Sequence, residues 1–261
     1  MADEPTKTTT AAQRFRVERN RSVALAKRDA KAWCASTAAW TEADTPCSLC
    51  EAERVRVLGD GRPGCAAPGY VLLWVQQDVR TECNFALEYA VAAANAAKLP
   101  VLAAYGLSAS YPGATERSLR FLLEGLVEYR LRLRYERGIR LVCLEAAPDA
   151  AVLRLAARAA LVVCDRGYAR PCVAWRRAVA AAAPCRVVQV EGNVVVPVEV
   201  ASPALCASAA ELRPRHARHL GRFLRRMPRG LLEPLSPSVG VDDRDDAAWL
   251  ARHFDDDDDA L

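Results

Sequence analysis

The sequence predicts an α/β domain in which a five-stranded parallel sheet is covered by helices on both faces. Three observations lead to this prediction. Five short apolar runs of strand length lie between residues 69 and 200, and helix-length segments separate them. The runs are apolar throughout, as strands buried beneath two layers of helices are. Because strands and helices alternate, the expected arrangement is a doubly wound, Rossmann-like sheet with flexible tails at both ends of the chain.

The elements can be placed in order from apolar runs and helical spacing. The predicted strands are 70–75, 101–105, 139–144, 161–164 and 185–190. The predicted helices between them are 82–98, 114–137, 149–159 and 171–182. Leucines recur at helical spacing in the second helix, and Gly138 follows it where a left-handed cap residue is favoured. Pro171 suits the first turn of the last helix, because a first-turn N–H has no partner within the helix.

Composition divides the chain into three parts. Residues 1–53 show mixed charge and no sustained period, so we expect a largely flexible N-terminal extension that is partly helical over 11–33. Residues 54–202 form the predicted α/β domain. Residues 203–261 are predicted to contain a basic helix at 212–226, a proline-containing linker and an acidic tail.

The net charge of +4 is too small to indicate a nucleic-acid partner by itself, but the charge is unevenly distributed. Residues 213–229 carry seven Arg and two His, whereas 242–259 carry nine Asp against two Arg. The basic segment could contact phosphates, and a solvated helix that docks on another domain explains it equally well. The acidic run is typical of solvated segments that repel phosphate, although a short helix is expected at 246–254.

Cysteine usage and the lack of long apolar runs indicate an intracellular protein. The ten Cys are scattered, several of them in apolar runs, which fits the cytoplasm or nucleus better than a secreted disulfide framework. No apolar run approaches the roughly 20 residues that span a bilayer, and the N-terminus lacks an apolar signal core. Residues 7–33 are basic and rich in Ala and Thr, so an organellar transit peptide stays open.

Several common site patterns are missing or incomplete. No Gly-x-Gly-x-x-Gly or Walker-type loop follows a predicted strand, which argues against dinucleotide and P-loop sites. Cys47 and Cys50 have the spacing of half a zinc site, but a second pair is lacking, so no metal site is predicted. The three His, at 216, 219 and 253, lie outside the α/β domain, and no catalytic residue is assigned.

The best candidate binding residues follow the first predicted strand. Gln76, Asp78, Arg80 and Asn84 lie where that strand ends, and ligands of open α/β sheets bind outside the carboxyl ends of the strands. A purely structural alternative is that Asp78 or Thr81 caps the following helix.

A second polar cluster, 165–170, follows the fourth predicted strand. Gly167 allows a tight turn there, and Arg166 and Arg170 could reach an anionic partner. The alternative is a turn that is stabilised by pairing between Arg and Asp.

Separate strings in a fixed order give the chain a specific family resemblance. They are GYVLLW at 69–74, FLLEGL at 121–126, DRGYAR at 165–170, WRR at 175–177 and QVEGNVVVPVEVAS at 189–202. Together they resemble the N-terminal α/β domain of class II cyclobutane pyrimidine dimer photolyases, within the cryptochrome/photolyase family. The resemblance weakens afterwards, because Ala210 and Glu211 stand where the family pattern has arginine and threonine.

The resemblance implies part of a DNA-repair protein. Family members use light to repair pyrimidine dimers, with FAD in a C-terminal helical domain and a second chromophore, often a deazaflavin, against the α/β domain. This chain is expected to lack the helical domain, and with it the FAD site, and therefore to be inactive alone. No cofactor is certain for it, and Gln76, Asp78, Arg80 and Asn84 are the residues expected on the antenna side.

The same resemblance suggests partners and leaves alternatives. The family binds ultraviolet-damaged DNA, whereas this chain is expected to bind it poorly alone. A helical domain supplied in trans is a possible partner. No membrane partner is expected. The main alternative is a stand-alone α/β module that binds a chromophore or a partner chain without catalysis. An unrelated nucleotide-binding enzyme of the same architecture is disfavoured by the missing phosphate-loop glycines.

Overall fold

Six strands form one sheet in the computed structural model, which describes residues 50–61, 69–108, 111, 113–227 and 229–232. The strands are β1 (Val55–Gly59), β2 (Tyr70–Trp74), β3 (Val101–Leu107), β4 (Arg140–Glu145), β5 (Ala159–Asp165) and β6 (Arg186–Val190). Their order is β1-β6-β5-β2-β3-β4, and every neighbouring pair is parallel except β1 and β6. The doubly wound α/β architecture is confirmed, but the predicted number of five strands is wrong.

The additional strand is β1, at one edge of the sheet. It pairs antiparallel with β6, and Val55 lies opposite Val190. Arg56 and Val57 of this strand are exposed. β1 contains no continuous apolar run, because an edge strand needs less apolar surface than a central strand that is buried on both faces.

Six α-helices lie in the described part of the chain. They are α1 (Phe85–Ala97), α2 (Glu116–Arg137), α3 (Pro148–Ala156), α4 (Arg170–Ala182), α5 (Val198–Ala201) and α6 (Ala209–Phe223). A short 3-10 helix, Ala52–Arg54, precedes β1. Gly138 ends α2 with a φ of 65°, so the predicted left-handed cap is confirmed.

The first helix begins later than predicted. The Asn84 side chain accepts a hydrogen bond from the Leu87 N–H and so caps α1, which starts at Phe85 and not at residue 82. The alternative in which Asp78 or Thr81 caps this helix is therefore wrong. An asparagine satisfies an unpaired first-turn N–H as well as an aspartate does, so composition alone could not choose among these residues.

Two other helices have shifted boundaries. The predicted helix 149–159 extends too far, because α3 ends at Ala156 and β5 already begins at Ala159. The basic helix predicted at 212–226 is α6, which starts earlier because the Ser208 hydroxyl accepts a hydrogen bond from the Glu211 N–H. Serine is a favoured helix-capping residue, so this signal was present in the sequence.

Separate pairs of helices cover the two faces of the sheet. On one face, Leu126 of α2 belongs to a buried cluster with Leu73 of β2 and with residues of α1. On the other face, Val152 of α3 and Val179 of α4 form a second cluster with Leu72. Leu72 and Leu73 are adjacent in β2, and successive strand residues point to opposite faces. Both faces of the central strand are therefore buried.

The strand order reverses between β2 and β5. From β2 the chain proceeds to β3 and β4 on one side, and it then returns to β5 and β6 on the other side of β2. In open α/β sheets, the crevice outside the carboxyl ends of two such strands is the usual position of a ligand. The segments that follow β2 and β5, which hold both polar clusters noted in the sequence, meet at this crevice.

Several predictions lie outside the described residues. These are the helices at 11–33 and 246–254, most of the extension 1–53, and Cys47. Within the described ranges, no helix has the length and apolar character that crossing a membrane requires. The same ranges contain no group of three or more His, Cys, Asp or Glu side chains arranged to hold a metal ion.

Candidate functional site

The Asp165 carboxylate, at the end of β5, holds the loop that follows β2. Three consecutive backbone N–H groups donate to its oxygens, with shortest distances of 3.1 Å from Gln76, 2.6 Å from Gln77 and 2.7 Å from Asp78. Burial, with a smaller contribution from the nearby Asp78 carboxylate, raises the pKa of Asp165 to about 6, although the three N–H donors favour its charged form. One buried side chain therefore sets the conformation of this loop.

Arg166 pairs with glutamates and not with the aspartate that precedes it. Its guanidinium donates to both oxygens of Glu199 at 2.5 and 2.6 Å and lies 3.1 Å from a Glu191 oxygen. The Tyr168 hydroxyl donates to the same buried Glu191 carboxylate, whose other oxygen accepts a hydrogen bond from the Val198 N–H at 3.1 Å. The alternative of a turn stabilised by an Arg–Asp pair is wrong, because these contacts join the end of β5 to α5 instead.

Three of the four predicted binding residues form hydrogen bonds with one another. Arg80 Nη1 donates to Asp78 Oδ1 at 2.6 Å, and the Asn84 amide donates to the carbonyl oxygens of Asp78 and Arg80 at 3.0 Å each. Arg80 also donates to the Gly192 carbonyl, after β6, at 3.3 Å. Burial raises the pKa of Asp78. The structure thus brings these three side chains together as a bracket between the loop after β2 and the loop after β6.

A cavity of about 310 Å³ lies at the carboxyl ends of β2 and β3. Its lining residues are Val75, Gln76, Gln77, Tyr105, Gly106, Leu107, Ser108, Tyr111, Gly113, Ala114, Ser118, Leu119, Leu122, Pro148, Cys172 and Trp175. These side chains are neutral or apolar, and burial keeps the Cys172 thiol protonated by raising its pKa. The Tyr111 and Trp175 rings lie 5.9 Å apart between centroids at an angle of 49°. Flat aromatic surface with a few polar groups is typical of small-molecule sites.

The cavity shares one residue with the set predicted from the sequence, Gln76. The polar clusters predicted from the sequence follow the first and fourth predicted strands, and the end of the second strand was not considered. The strand-end rule applied to that strand would have identified Tyr105 and Ser108. It could not have identified Tyr111 and Trp175, because a loop and a distant helix bring them together only in the folded chain.

Arg176, a buried residue of α4, connects the two loops beside the cavity. Its Nη1 donates to the Gly167 carbonyl oxygen at 2.6 Å and lies 3.5 Å from Gln76 Oε1, and burial lowers its pKa. Gly167 is required at this position, since a β-carbon there would lie 2.8 Å from the β-carbon of Cys172. The guanidinium therefore orients the Gln76 amide at the cavity wall. The sequence offered no sign of this role, because most Arg residues are exposed.

Comparisons with known proteins agree in sequence and in fold. Residues 71–233 match the family model described as DNA photolyase. A deoxyribodipyrimidine photo-lyase from Methanothermobacter thermautotrophicus is 42% identical over 176 residues, which are 67% of this chain and 39% of that protein. The chain thus spans about two fifths of the length of this curated relative.

Solved structures provide a comparison at lower sequence identity. A cryptochrome from Synechocystis has a TM-score of 0.51 at 14% identity, over 67% of this chain and 39% of its own, and this likeness supports the fold. An archaeal photolyase from Sulfolobus tokodaii, solved with two FAD molecules, has a TM-score of 0.49 at 15% identity, over 57% of this chain and 35% of its own.

Proposed function

Because this chain belongs to the DNA photolyase family, we propose that it is the N-terminal, antenna-binding part of a class II photolyase that repairs cyclobutane pyrimidine dimers. The family follows from the match over 71–233, and the strings at 165–170 and 189–202 support the class. The chain corresponds to 39% of the length of its photo-lyase relative. Light-driven repair is therefore proposed for the whole protein and not for this part alone.

The cavity at the ends of β2 and β3 is the observation that carries the antenna proposal. At about 310 Å³ it lies at the lower end of the range of ligand pockets, so it would hold a planar ring system and leave the tail of a larger cofactor outside. Its neutral lining suits an uncharged ring, and a bound deazaflavin would there absorb light and pass its excitation energy on. The residues present fit such a group.

The chain's own residues would divide the work of binding between contact and support. We propose that Tyr111 and Trp175 provide the aromatic surface for the ring and that Gln76 hydrogen-bonds to its polar rim. Asp165 and Arg176 would keep the Gln76 loop in its binding conformation. In this scheme Tyr111, Trp175 and Gln76 contact the ring. The buried Asp165 and Arg176 side chains make the loop rigid.

The other predicted site residues receive a supporting role in the same scheme. Asp78, Arg80 and Asn84 hydrogen-bond within their own loop. We propose that they hold the antenna side of the crevice in shape without touching the ring.

The catalytic flavin and the damaged DNA are proposed to bind the portion of the family protein that the match does not cover. FAD would then occupy a helical domain, and this chain alone would neither retain stoichiometric FAD nor repair dimers. The domain boundaries that accompany this proposal are 1–53, 54–202 and 203–261.

Reconstitution with pigment tests the proposal directly. The purified chain is incubated with FAD and, separately, with a deazaflavin, free pigment is removed, and the absorption spectrum is recorded. We expect deazaflavin to be retained and FAD to be absent. Retention of neither pigment would contradict the antenna site, and stoichiometric FAD would contradict the assignment of the catalytic flavin to another part of the protein.

A matched pair of aromatic substitutions locates the pigment. Trp175→Leu removes one aromatic wall of the cavity, and we expect retention to fall about 10-fold or more, given the energy of aromatic ring pairs and the area that is lost. Tyr135→Leu is the control, because Tyr135 is 78% exposed on α2 and does not line the cavity. Equal losses in both variants would contradict the assignment of the cavity.

A further inference from the structure

A buried carboxylate lies directly behind one wall of the cavity. Asp165 is 1% exposed, and its oxygens accept hydrogen bonds from the consecutive N–H groups of Gln76, Gln77 and Asp78 at 3.1, 2.6 and 2.7 Å. Gln76 and Gln77 line the cavity. The charge of this one side chain therefore acts on the wall at which the proposed ligand binds.

A second buried carboxylate belongs to the loop that Asp165 holds. Asp78 is also 1% exposed, and its carboxylate accepts a hydrogen bond from Arg80 Nη1 at 2.6 Å. In the part of the chain that the structure describes, no cation forms a salt bridge with Asp165. Two buried carboxylates that share one directly bonded cation are poorly compensated, and such a pair takes up a proton at modest acidity.

The other groups that face Asp165 add little compensating charge. Arg176 of α4 is a cation among them, but it donates to the Gly167 carbonyl oxygen at 2.6 Å and not to Asp165. Burial raises the pKa of Asp165 to about 6, and the Asp78 charge adds to this rise. The neutral groups are Cys164 of β5, Cys172 of α4, Tyr105 of β3 and Tyr129 of α2.

We propose that occupation of the cavity is linked to the ionisation of this carboxylate pair, so that the ligand is held while Asp165 is charged and released as the pair takes up a proton. The inference rests on the proposed function for the identity of the ligand, the antenna pigment. A charged acceptor bonds to N–H donors roughly twice as strongly as a neutral one, and a protonated oxygen becomes a donor. Protonation therefore loosens the loop that carries Gln76 and Gln77.

The local and the global effects of this proton have opposite signs. Protonation removes the cost of burying a charge, so it stabilises the folded chain against unfolding. The same proton weakens the hydrogen bonds from the N–H groups of Gln76, Gln77 and Asp78 that keep the loop in place. Acidification is therefore expected to loosen the cavity wall without unfolding the domain.

Titration of the full chain with a deazaflavin at pH 5 and at pH 7, followed by pigment fluorescence, tests the linkage. At pH 5 about one tenth of the free chain keeps Asp165 charged, so we expect the Kd to be about 10-fold weaker than at pH 7. Asp165→Asn, which resembles the protonated form, is expected to bind weakly at both pH values. Asp78→Asn removes the like charge and is expected to move the change in Kd to lower pH.

Asp60→Asn is the matched control, because Asp60 is exposed at the surface. It is expected to keep the pH dependence of the wild type. A wild-type Kd that is equal at both pH values would overturn the proposal. A pH dependence that persists unchanged in Asp165→Asn would also overturn it, because that dependence would then belong to the pigment or to another group.

Hydrogen exchange on the pigment-free chain measures the loop independently of any ligand. We expect the protection of the Gln76, Gln77 and Asp78 N–H groups, relative to an unstructured peptide at the same pH, to fall about 10-fold from pH 7 to pH 5. In Asp165→Asn the protection is expected to be low at both pH values. Equal protection of the wild type at both pH values would overturn the linkage. Protection that depends on pH in a chain that binds no pigment would support the linkage and contradict the proposed function.

Discussion

Two buried charged residues, Asp165 after β5 and Arg54 before β1, are held by backbone groups more than by opposite charges. Asp165 accepts hydrogen bonds from three consecutive N–H groups. Arg54 donates to the carbonyl oxygens of Glu191, Val194 and Val195 at 3.2, 2.9 and 2.6 Å. Each side chain therefore fixes a loop whose backbone groups have no partner in a strand or helix. Because Asp165 and Arg54 supply those partners, both side chains are buried without being part of an apolar core.

The ionisation of Asp165 makes stability depend on pH in a defined direction. Its pKa rises from the ordinary value of 3.8 to about 6 in the folded chain, so its contribution to the free energy of unfolding is present below about pH 4 and lost as pH rises through about 6. Asp165→Asn removes this titration. We expect the stability of the wild type relative to this variant to fall by roughly 2–3 kcal/mol between pH 4 and pH 7.

Urea unfolding of both proteins across that pH range measures the difference. Asp60→Asn is the matched control, because Asp60 is exposed at the surface. A constant difference between wild type and Asp165→Asn would show that Asp165 does not titrate in this range.

Arg54 is expected to be irreplaceable even by lysine. Its guanidinium lies 4.0 Å from the centroid of the Phe85 ring and 5.5 Å from that of Phe223. Arg54→Lys keeps the charge but loses the planar array of donors, so we expect the free energy of unfolding to fall by about 2–4 kcal/mol. Arg56→Lys, on the exposed side of the adjoining strand, should change it by less than about 0.5 kcal/mol. Chemical denaturation measures both; similar losses would contradict the role of Arg54.

At the scale of the element, the helix ends show where local sequence is decisive and where it is overridden. Two helices end in a left-handed residue: α2 at Gly138, with φ of 65°, and α1 at Lys98, with φ of 55°. Glycine adopts this conformation without strain, whereas lysine does not. The Lys98 N–H nevertheless donates to the carbonyl oxygens of Ala94 and Asn95, so the end of α1 keeps a left-handed cap.

Exchange of residue type at these two ends should change stability in opposite directions. Lys98→Gly relieves the strained conformation and is expected to raise the free energy of unfolding by about 1 kcal/mol. Gly138→Ala introduces the same strain and is expected to lower it by about 1 kcal/mol, because no neighbouring atom blocks the added carbon. Thermal unfolding of both variants measures the effect, and shifts of the same sign would contradict this explanation.

At the scale of the whole molecule, one buried ion pair joins three distant parts of the chain. Glu88 of α1 pairs with Arg137 at the end of α2, and both side chains are almost completely buried. The second Glu88 oxygen accepts a hydrogen bond from the Gly230 N–H at 2.6 Å. Asn95 donates to the Leu231 carbonyl oxygen at 2.9 Å. The segment that follows α6 is thereby attached along α1.

Removal of one partner of this pair should affect the whole fold. Glu88→Ala leaves a buried Arg137 without its carboxylate, and we expect the free energy of unfolding to fall by about 3–5 kcal/mol. Glu124→Ala, which removes only the exposed ion pair with Arg120 on the same helix, should lower it by no more than about 1 kcal/mol. Chemical denaturation distinguishes them. Equal effects would show that burial of the Glu88 pair is unimportant.

The sequence alone determined the architecture and the family. The five parallel strands, β2 to β6, are continuous apolar runs, and their alternation with helices is a local property, so both could be recognised without contacts between distant residues. Gly138 was identifiable for the same reason. The strings that carried the resemblance are also local, and the family comparison agrees with them over residues 71–233.

Only the tertiary structure decided the edge strand and the composition of the candidate site. β1 exists because β6 offers it an unpaired edge, and its own residues carry too little apolar signal to predict it. Tyr111, Trp175 and Arg176 meet Gln76 at the cavity although they lie far from it in sequence. Burial of Asp165 and Arg176 is likewise invisible in composition. A cavity and the pKa values around it arise from distances between segments, which no local pattern encodes.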